Sequence, residues 1–520
     1  MIEADNTGAG NQLRVAELIS ALSLALDIGL GLPVETLLRG ALVSSRLAKV
    51  AGFSGAECRA AYYLPLVSMV GCTTTSTSDG AMMGDELGAA ELMWADKADG
   101  RAMMPILWRT VGQDRQTLGR AALIGKMFYF GASGGVAAQH AMHCEAARIL
   151  SERLGLDAET CLGVLHNNER WDGKGTPNAV AGEAITRPAR AMHIGMLAAH
   201  CYMDGGVEHA LAVIEKRSGK EFDPALVKVI RSESPHIFAD LSSGNIRDMV
   251  LAEEPGSPLT IGAEATDTAF AAIADFADFK TPHMLGHSRR VANVAEAAAK
   301  ACSLPHAELT LLRHAGHVHD IGRVGVQAAI WMKRGTLSSG DRERVRLHTY
   351  LTERVFADSP LLKSVGALGA LHHERLDGSG YHRGLQGAAL SAPARILAVA
   401  NALCALTEAR PHRPTHTEAE AAKILNDEAK AGKLDGRAVD AVLSGQGQKP
   451  HARRTAAVSL SDREMEVLRL VARQHSNKDI ARTLGISPKT VERHITHVYD
   501  KLGVISRAGA TLHASENGWL

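Results

Sequence analysis

Possible metal ligands are concentrated in one part of the chain, between residues 287 and 401. Imidazole and carboxylate side chains follow one another there in the order His287, His319, Asp320, His348, His372 and His373. These ligand types suit iron, manganese, zinc and similar divalent ions. Carried on helices that face one cavity, they can hold two ions that share a bridging aspartate. The combination of these residues, more than any one of them, therefore indicates a metal centre.

Helices must carry these ligands, because the composition favours helix throughout. Aromatic residues make up only 4% of the chain, whereas the good helix formers Ala and Leu recur in nearly every segment. Apolar residues follow His287 at helical spacing on one face: Val291, Val294, Ala295 and Ala298. His287 lies one turn before this face, so it is expected to point toward the same interior. We expect an all-α protein.

The two halves of the chain repeat one another. Residues 167–176 read Asn-Asn-Glu-Arg-Trp-Asp-Gly-Lys-Gly-Thr, and residues 372–381 read His-His-Glu-Arg-Leu-Asp-Gly-Ser-Gly-Tyr. The offset is 205 residues, and it also relates the Pro-Ala-Arg triplets at 188–190 and 393–395. A constant offset over such a distance predicts a tandem duplication of one helical domain.

The first copy has lost most of the ligands that the second copy keeps. The corresponding positions carry Gly71, Cys72, Asn167, Asn168 and Met196. Of the expected ligands only His143, opposite His348, remains, and one imidazole does not make a metal site. We therefore expect a degenerate domain that dimerises, binds a ligand or regulates its twin, and the sequence leaves these three possibilities open.

The second copy resembles the HD-GYP phosphodiesterases, which belong to the HD superfamily of metal-dependent phosphohydrolases. The resemblance rests on the order of the ligands, on Asp-Gly-Ser-Gly-Tyr at 377–381 and on Ala-Arg-Ile-Leu-Ala-Val-Ala at 394–400. It covers residues 263–444. It implies a helical fold, divalent ions such as iron, manganese or magnesium, and a phosphorylated small-molecule substrate such as a cyclic dinucleotide.

The same resemblance implies two overlapping ligand sets. The first ion would be held by His287, His319, Asp320 and Asn401. The second ion would be held by Asp320, His348, His372 and His373. Asn401 departs from the family, which has aspartate there, and a neutral amide supplies one negative charge less to a hard cation. We therefore expect the first ion to be weakened or absent, so that one or two ions are bound.

Other residues of the second copy receive roles from the resemblance as well. The candidate catalytic residues are Asp320, Arg323 and Lys333, and the candidate ligand-binding residues are Asp377, Gly380 and Tyr381. Arg323 stands where the family has lysine, and a guanidinium can fork onto phosphate oxygens. Lys333 lies in a turn that is similar to the family's Lys-Pro-Gly, where it either meets a phosphate or is solvated.

The C-terminal segment carries the signals of three short helices. Ser461 with Glu464 forms a capping box before the first helix. Ser476 opens a second helix at 477–484, which Gly485 closes. Ser487 caps a third helix, with proline at its first position.

The third of these helices is amphipathic and basic. Its apolar face is formed by Val491, Ile495, Val498 and Leu502, and its opposite face carries Lys489, Thr490, Arg493, Thr496 and His497. Helix, short turn and basic helix make a helix-turn-helix, whose second helix enters the major groove. Residues 460–504 closely resemble the LuxR-type DNA-binding domain, which commonly binds DNA as a dimer. We expect a homodimer on double-stranded DNA with these contact residues: Lys478, Arg482, Lys489, Thr490, Arg493 and His497.

Length and charge fit this organisation. A chain of 520 residues suggests about three domains. We predict a degenerate repeat at 1–253, a linker at 254–262, the metal domain at 263–444, a linker at 445–457 and the DNA-binding domain at 458–520. Residues 450–520 carry a net charge of about +4 although the whole chain is neutral, which suits a nucleic-acid partner.

Cysteine usage and the N-terminus indicate a cytoplasmic protein. The seven cysteines are scattered without a Cys-x-x-Cys pair, which argues against a disulfide framework or a zinc knuckle. The chain begins with an acidic segment, not with the basic start of a signal peptide. The apolar run at 18–32 is too short to span a bilayer, so no membrane association is expected.

The sequence therefore predicts a DNA-binding transcription regulator. Its HD-GYP-like domain would bind metal and hydrolyse or sense a phosphorylated small molecule. One alternative is a ligand-gated transcription factor whose HD domain is catalytically inactive. Another is an enzyme whose C-terminal tail only localises it.

Overall fold

The computed structural model describes residues 13–83, 90–113, 115–242, 244–447, 460–473 and 475–502, with residues 504, 507, 510, 511, 514 and 519. Helices dominate these residues, which confirms the predicted all-α fold. Two short strands, β1 (Leu13–Arg14) and β2 (Thr260–Ile261), pair antiparallel. Most of the predicted linker 445–457 lies outside the described residues.

The helices of the first half, in chain order, are α1 Val15–Gly29, α2 Thr36–Val50, α3 Gly55–Ser68, α4 Cys72–Met83, α5 Ala90–Trp94, α6 Gly100–Thr110, α7 Thr117–Ala132, α8 Gly135–Arg153, α9 Ala158–Leu165, α10 Arg187–Lys216, α11 Pro224–Ser232, α12 Ser234–Ile237 and α13 Ile246–Ala252. The helices of the second half are α14 Ala263–Asp278, α15 His287–Ala301, α16 His306–Val318, α17 Ala328–Trp331, α18 Ser339–Phe356, α19 Lys363–Gly369, α20 Ala392–Thr407, α21 Glu418–Lys430, α22 Gly436–Gly445, α23 Asp462–Ala472, α24 Asn477–Leu484 and α25 Pro488–Leu502. Four short 3-10 helices join them, at Gly182–Ala184, Pro282–Met284, Ile321–Gly325 and Gly387–Ala389.

The folded chain forms two compact units. Unit 1 contains the described residues of Met1–Leu285 and Ile321–Leu362, and unit 2 contains those of Gly286–Asp320 and Lys363–Leu520. The domain boundaries expected from the sequence remain a prediction.

In unit 1, buried tyrosines of α3 anchor the segment that precedes β2. The Tyr62 hydroxyl donates to the carbonyl of Val250 at 2.9 Å, and the Tyr63 hydroxyl donates to Glu254 at 2.6 Å. Arg14 pairs with the same Glu254 at 2.6 Å. The beginning of the predicted linker 254–262 is therefore held by a buried carboxylate.

In unit 2, α15 and α16 cross at close range and thereby set the positions of the first histidines. A Cβ built on Gly316 of α16 would lie 2.7 Å from the Cα of Ala292 of α15, so glycine permits this approach. The predicted apolar face after His287 is buried, which confirms the helix pattern: Val291, Val294, Ala295 and Ala298.

Candidate functional site

Unit 2 brings four of the predicted ligands of the first ion together. His287 is the first residue of α15, His319 and Asp320 directly follow α16, and Asn401 lies inside α20. All four side chains are buried. Ligand atoms of His287, His319 and Asp320 lie within 4.8 Å of one another, a spacing that one metal ion can bridge.

Asp320 faces histidines with both of its carboxylate oxygens. Its Oδ2 lies 3.8 Å from Nε2 of His287 and 3.5 Å from Nε2 of His319. Its Oδ1 lies 3.5 Å from Nε2 of His372. One oxygen thus faces His287 and His319 and the other faces His372, which is the arrangement expected of a bridging ligand.

Hydrogen bonds fix the rings so that Nε2 faces the cluster. Nδ1 of His319 donates to the carbonyl of Gly316 at 2.8 Å, and Nδ1 of His372 donates to that of Gly369 at 2.7 Å. Burial, together with the neighbouring histidines, lowers the pKa of His319 well below its ordinary value despite Asp320. A neutral imidazole with its Nδ1 proton engaged presents the Nε2 lone pair, as a metal ligand must.

Glu408 joins this cluster, and the sequence reasoning did not identify it. Its Oε2 accepts from Nδ1 of His287 at 2.7 Å, and Arg410 lies 3.1 Å from the same oxygen. Burial raises the pKa of Glu408, but the bond to His287 and the charges of His287, Arg410 and Arg290 outweigh burial and lower it. Glu408 directly follows α20 with an extended backbone, so no helical spacing from Asn401 pointed to it.

His348, another predicted ligand of the second set, is buried in unit 1 on α18. Its Nδ1 contacts the carbonyl of Val345, three residues earlier. The Trp331 ring meets the His348 ring edge-on at 5.7 Å, and the Arg323 guanidinium lies over Trp331 at 3.7 Å. The joint role of His348 with His372 and His373 in holding a second ion remains a prediction.

Lys333 occupies a local ion pair at the start of α18. Its Nζ donates to Asp341 at 2.8 Å, and this aspartate also closes a capping box with Ser338. The bond from Lys333, with the bonds from Ser338, lowers the pKa of Asp341 to about 2. A phosphate contact of Lys333 remains a prediction.

The loop that follows the histidine pair is held by a buried carboxylate. Glu374 accepts backbone N–H bonds from Arg383 at 2.8 Å and Leu385 at 2.9 Å. Tyr381 stacks on His373 with ring centroids 4.7 Å apart. Asp377 is exposed and accepts from the backbone and hydroxyl of Ser379, so its visible role is to shape the turn.

The first copy repeats this loop without the metal ligands. Glu169 accepts from the backbone of Asn178 at 2.9 Å and Val180 at 3.0 Å, the same two bonds at an offset of 205 residues. The surviving His143 uses Nε2 to donate to the carbonyl of Ser68 at 2.6 Å. Burial lowers the pKa of His143 to about 4. The ring nitrogen that would face an ion is thus engaged by the backbone.

The chemistry of the donors in unit 2 fits a divalent metal ion. Buried imidazoles, each with Nδ1 bonded to an oxygen, surround a carboxylate with two outward oxygens. Such nitrogen and oxygen sets suit iron, manganese or zinc. The residues that would hold the first ion are His287, His319, Asp320 and Asn401, and His372 belongs to the predicted second set.

Among the three helices at the C-terminal end, α24 has the bounds that the sequence predicted, and the predicted caps are present. The capping box of Ser461 with Glu464 and the cap of Ser476 are present, and Gly485 has a φ of 65°. The predicted apolar face of α25 is buried, whereas Lys489, Arg493 and His497 are exposed. Lys478 and Arg482 of α24 are exposed as well, and Thr490 is half-buried.

Comparisons with known proteins agree with this architecture. A family model described as HD domain matches residues 138–226 and 271–438, so it matches in both halves. A second model, described as bacterial regulatory proteins of the luxR family, matches residues 458–514. The chain joins HD domains to a LuxR-type DNA-binding domain. Both predicted resemblances are confirmed.

Individual relatives cover different parts of the chain. It is 26% identical over 425 residues to the 3′3′-cGAMP-specific phosphodiesterase 3 of Vibrio cholerae, which spans 81% of this chain and 92% of the relative. It is 43% identical over 100 residues to a putative HTH-type transcriptional regulator of Mycobacterium bovis, which spans 19% of this chain and 10% of the relative.

A solved structure shares the fold. The crystal structure of a cyclic GMP-AMP-specific phosphodiesterase of V. cholerae matches with a TM-score of 0.57 at 22% identity, covering 84% of this chain and 99% of that chain. Among the residues that our structure describes, no helix combines the length and apolarity needed to cross a bilayer.

Proposed function

We propose that this chain is a DNA-binding regulator whose second HD region binds a divalent metal and hydrolyses a phosphorylated small molecule such as a cyclic dinucleotide. The observation that carries this proposal is Asp320, whose two oxygens face different histidines. The names of the HD relatives, which are phosphodiesterases of cyclic dinucleotides, support the substrate class.

The chain's own residues would prepare the site in three ways. The Nδ1 hydrogen bonds of His287, His319 and His372 hold the rings in one orientation. Burial excludes bulk water, which strengthens electrostatic interactions with a phosphodiester. A bound divalent ion supplies activation of water and neutralises charge that develops on the phosphoryl oxygens.

Asn401 favours a second candidate function, a metal-dependent sensor that binds a nucleotide without hydrolysing it. Its amide oxygen lies 3.1 Å from Nε2 of His287, where a carboxylate would add a negative charge. Weak occupancy of the first ion would leave binding intact and slow turnover.

One experiment separates these functions. Metal content of the purified full chain and hydrolysis of 3′3′-cGAMP and cyclic di-GMP are measured for wild type, His372→Ala and Asn401→Asp. Loss of metal and turnover together in His372→Ala supports the enzyme. Bound metal without turnover in wild type, with turnover gained in Asn401→Asp, supports the sensor. His412→Ala, an exposed histidine outside the cluster, is the matched control and should behave as wild type.

Absence of metal from wild type and every variant would contradict both functions. In that case the DNA-binding region alone would remain as the basis for a function.

A further inference from the structure

His287 is held differently from the other histidines of the cluster. His319 and His372 each donate Nδ1 to the carbonyl three residues earlier in their own segment, Gly316 and Gly369. His287 is the first residue of α15, so the residue three positions earlier lies outside its own helix. Its Nδ1 proton goes to the carboxylate of Glu408, 121 residues away in sequence.

The carboxylate of Glu408 is held in place by its neighbours. It caps the C-terminal end of α20, and its side chain is 17% exposed. Arg410 lies 3.1 Å from Oε2, and Arg290 lies 3.6 Å from Oε1. Two guanidinium groups together with the His287 ring therefore hold this carboxylate in one orientation beside the cluster.

The predicted first ligand set is short of negative charge. It contains one carboxylate, Asp320, which is shared with the second set. Asn401 contributes a neutral oxygen 3.1 Å from Nε2 of His287. A carboxylate behind a ligating imidazole makes that imidazole a stronger donor and adds charge near the ion.

We propose that Glu408 is a positioning residue that turns Nε2 of His287 toward the first ion and restores, through the imidazole, the negative charge that Asn401 does not supply. This inference rests on the metal binding in the proposed function. It predicts that the chain binds the first ion more tightly than expected for a ligand set in which asparagine replaces the family's aspartate.

Two substitutions separate the position of Glu408 from its charge. Glu408→Gln keeps an oxygen that can accept from His287 but removes the charge. Glu408→Ala removes both. Mn²⁺ affinity of the full chain is measured by competition with a chromophoric chelator, and Co²⁺ absorption reports the geometry of the first ion. We expect Glu408→Ala to weaken one Mn²⁺ site by about 10–100-fold, and Glu408→Gln to fall between this variant and wild type.

The decisive variant combines Glu408→Gln with Asn401→Asp. If charge is the missing element, this double variant should recover Mn²⁺ affinity to within a few-fold of wild type. The combination of Glu408→Ala with Asn401→Asp should recover less, because the ring of His287 is no longer held. Glu296→Gln, which removes a paired carboxylate on the same helix α15, is the matched control and should bind as wild type.

Wild-type affinity in both Glu408 variants would overturn the inference, as would a double variant no better than Glu408→Gln. His372→Ala distinguishes this failure from failure of the proposed function. If His372→Ala still weakens Mn²⁺ binding while the Glu408 variants do not, only the role of Glu408 is wrong. If wild type binds no Mn²⁺, both are wrong.

Discussion

Gly380 lies where the loop after the histidine pair folds back on its own beginning. A Cβ there would lie 2.5 Å from the backbone nitrogen of Arg375 and 2.5 Å from the Cα of Glu374. Because both contacts are with backbone, the clash cannot be relieved by a side-chain rotation. We expect Gly380→Ala to lower the free energy of unfolding by about 1–3 kcal/mol, measured by urea denaturation.

Gly340 provides the control for this prediction. It lies in the first turn of α18, and nothing would be within 4 Å of an added Cβ. Gly340→Ala should leave stability unchanged or raise it by up to about 1 kcal/mol, because alanine is the better helix former. If both substitutions changed the free energy of unfolding equally, the loop would accommodate the added methyl group without strain, and the prediction would be wrong.

At the scale of residues, the sequence predicted the candidate metal ligands but not every side chain that hydrogen-bonds to them. His287, His319, Asp320 and Asn401 were predicted from motif order, and the structure brings them together. Glu408 was missed because its contact joins the end of one helix to the start of another. Sequence spacing carries no signal for a meeting of that kind.

At the scale of elements, one buried ion pair ties α20 to the start of α22. Arg395 of α20 pairs with Asp435 at 2.7 Å, and the side chains are 12% and 7% exposed. Asp435 also caps α22. Asp435→Asn keeps a good capping residue but removes the charge. We expect a loss near the lower end of about 3–5 kcal/mol, because Arg395 keeps its bond to the Leu390 carbonyl.

The pH dependence of this loss has a defined sign. Burial raises the pKa of Asp435, but the charge and bond of Arg395 and the backbone N–H of Arg437 outweigh burial and lower it. Because the unfolded value is about 3.9, the stabilisation is complete above that pH and is lost as the pH falls through the lower folded value. The difference in urea stability between wild type and Asp435→Asn should therefore shrink below about pH 4.

Asp427→Asn serves as the control. Its carboxylate forms an exposed pair with Lys430 on α21. It should show no measurable change in stability at neutral pH. A constant difference for Asp435→Asn down to low pH would contradict an ionic origin.

The basic side chains of α25 lead to a prediction about DNA. Lys489 and Arg493 are exposed on the face opposite the buried apolar residues. Alanine at either position should weaken binding to a duplex, and loss of a phosphate contact should reduce the slope of log affinity against log salt by about 1. Fluorescence anisotropy with a labelled duplex at several salt concentrations measures both quantities.

Lys430→Ala, an exposed lysine on α21, is the control for this charge change. If it changes the salt slope as much as Arg493→Ala does, the effect is one of net charge. A contact by α25 would then have no support.

Local signals predicted the C-terminal helices well because each carries its own start and stop. Ser476 and Gly485 bound α24 at the residues expected. By contrast, nothing in the sequence indicated that residues 321–362 would pack in the same unit as the N-terminal helices. Packing partners depend on surfaces that exist only after the helices have formed.

At the scale of the whole molecule, comparing the two copies distinguishes residues that support the fold from residues that form the candidate metal site. Both copies keep the buried glutamate under the loop, Glu169 and Glu374, with the same two backbone bonds. Both keep the arginine-to-aspartate pair, since Arg190 meets Asp223 at 2.8 Å as Arg395 meets Asp435. The first copy therefore retained its framework while its metal ligands changed.

Helix α25, the predicted recognition helix, contacts the HD region within unit 2. Arg437 at the start of α22 lies 3.3 Å from Asp500 of α25 and bonds to the carbonyl of Val504. Thr496 and Tyr499 of α25 line the same groove. Because a recognition helix must enter the major groove, we expect this contact to compete with DNA for one side of α25.

We expect Arg437→Ala and Asp500→Ala each to tighten DNA binding. Asp500 is 52% exposed, so solvent screens the pair; it contributes under about 1 kcal/mol, and the gain should not exceed about five-fold. The double variant should gain no more than Arg437→Ala, because that substitution already removes both the ion pair with Asp500 and the bond to the Val504 carbonyl. Anisotropy titrations with one duplex at fixed salt measure these values. Additive gains, or weaker binding in Arg437→Ala, would contradict competition and would make the contact a support for the DNA-bound state.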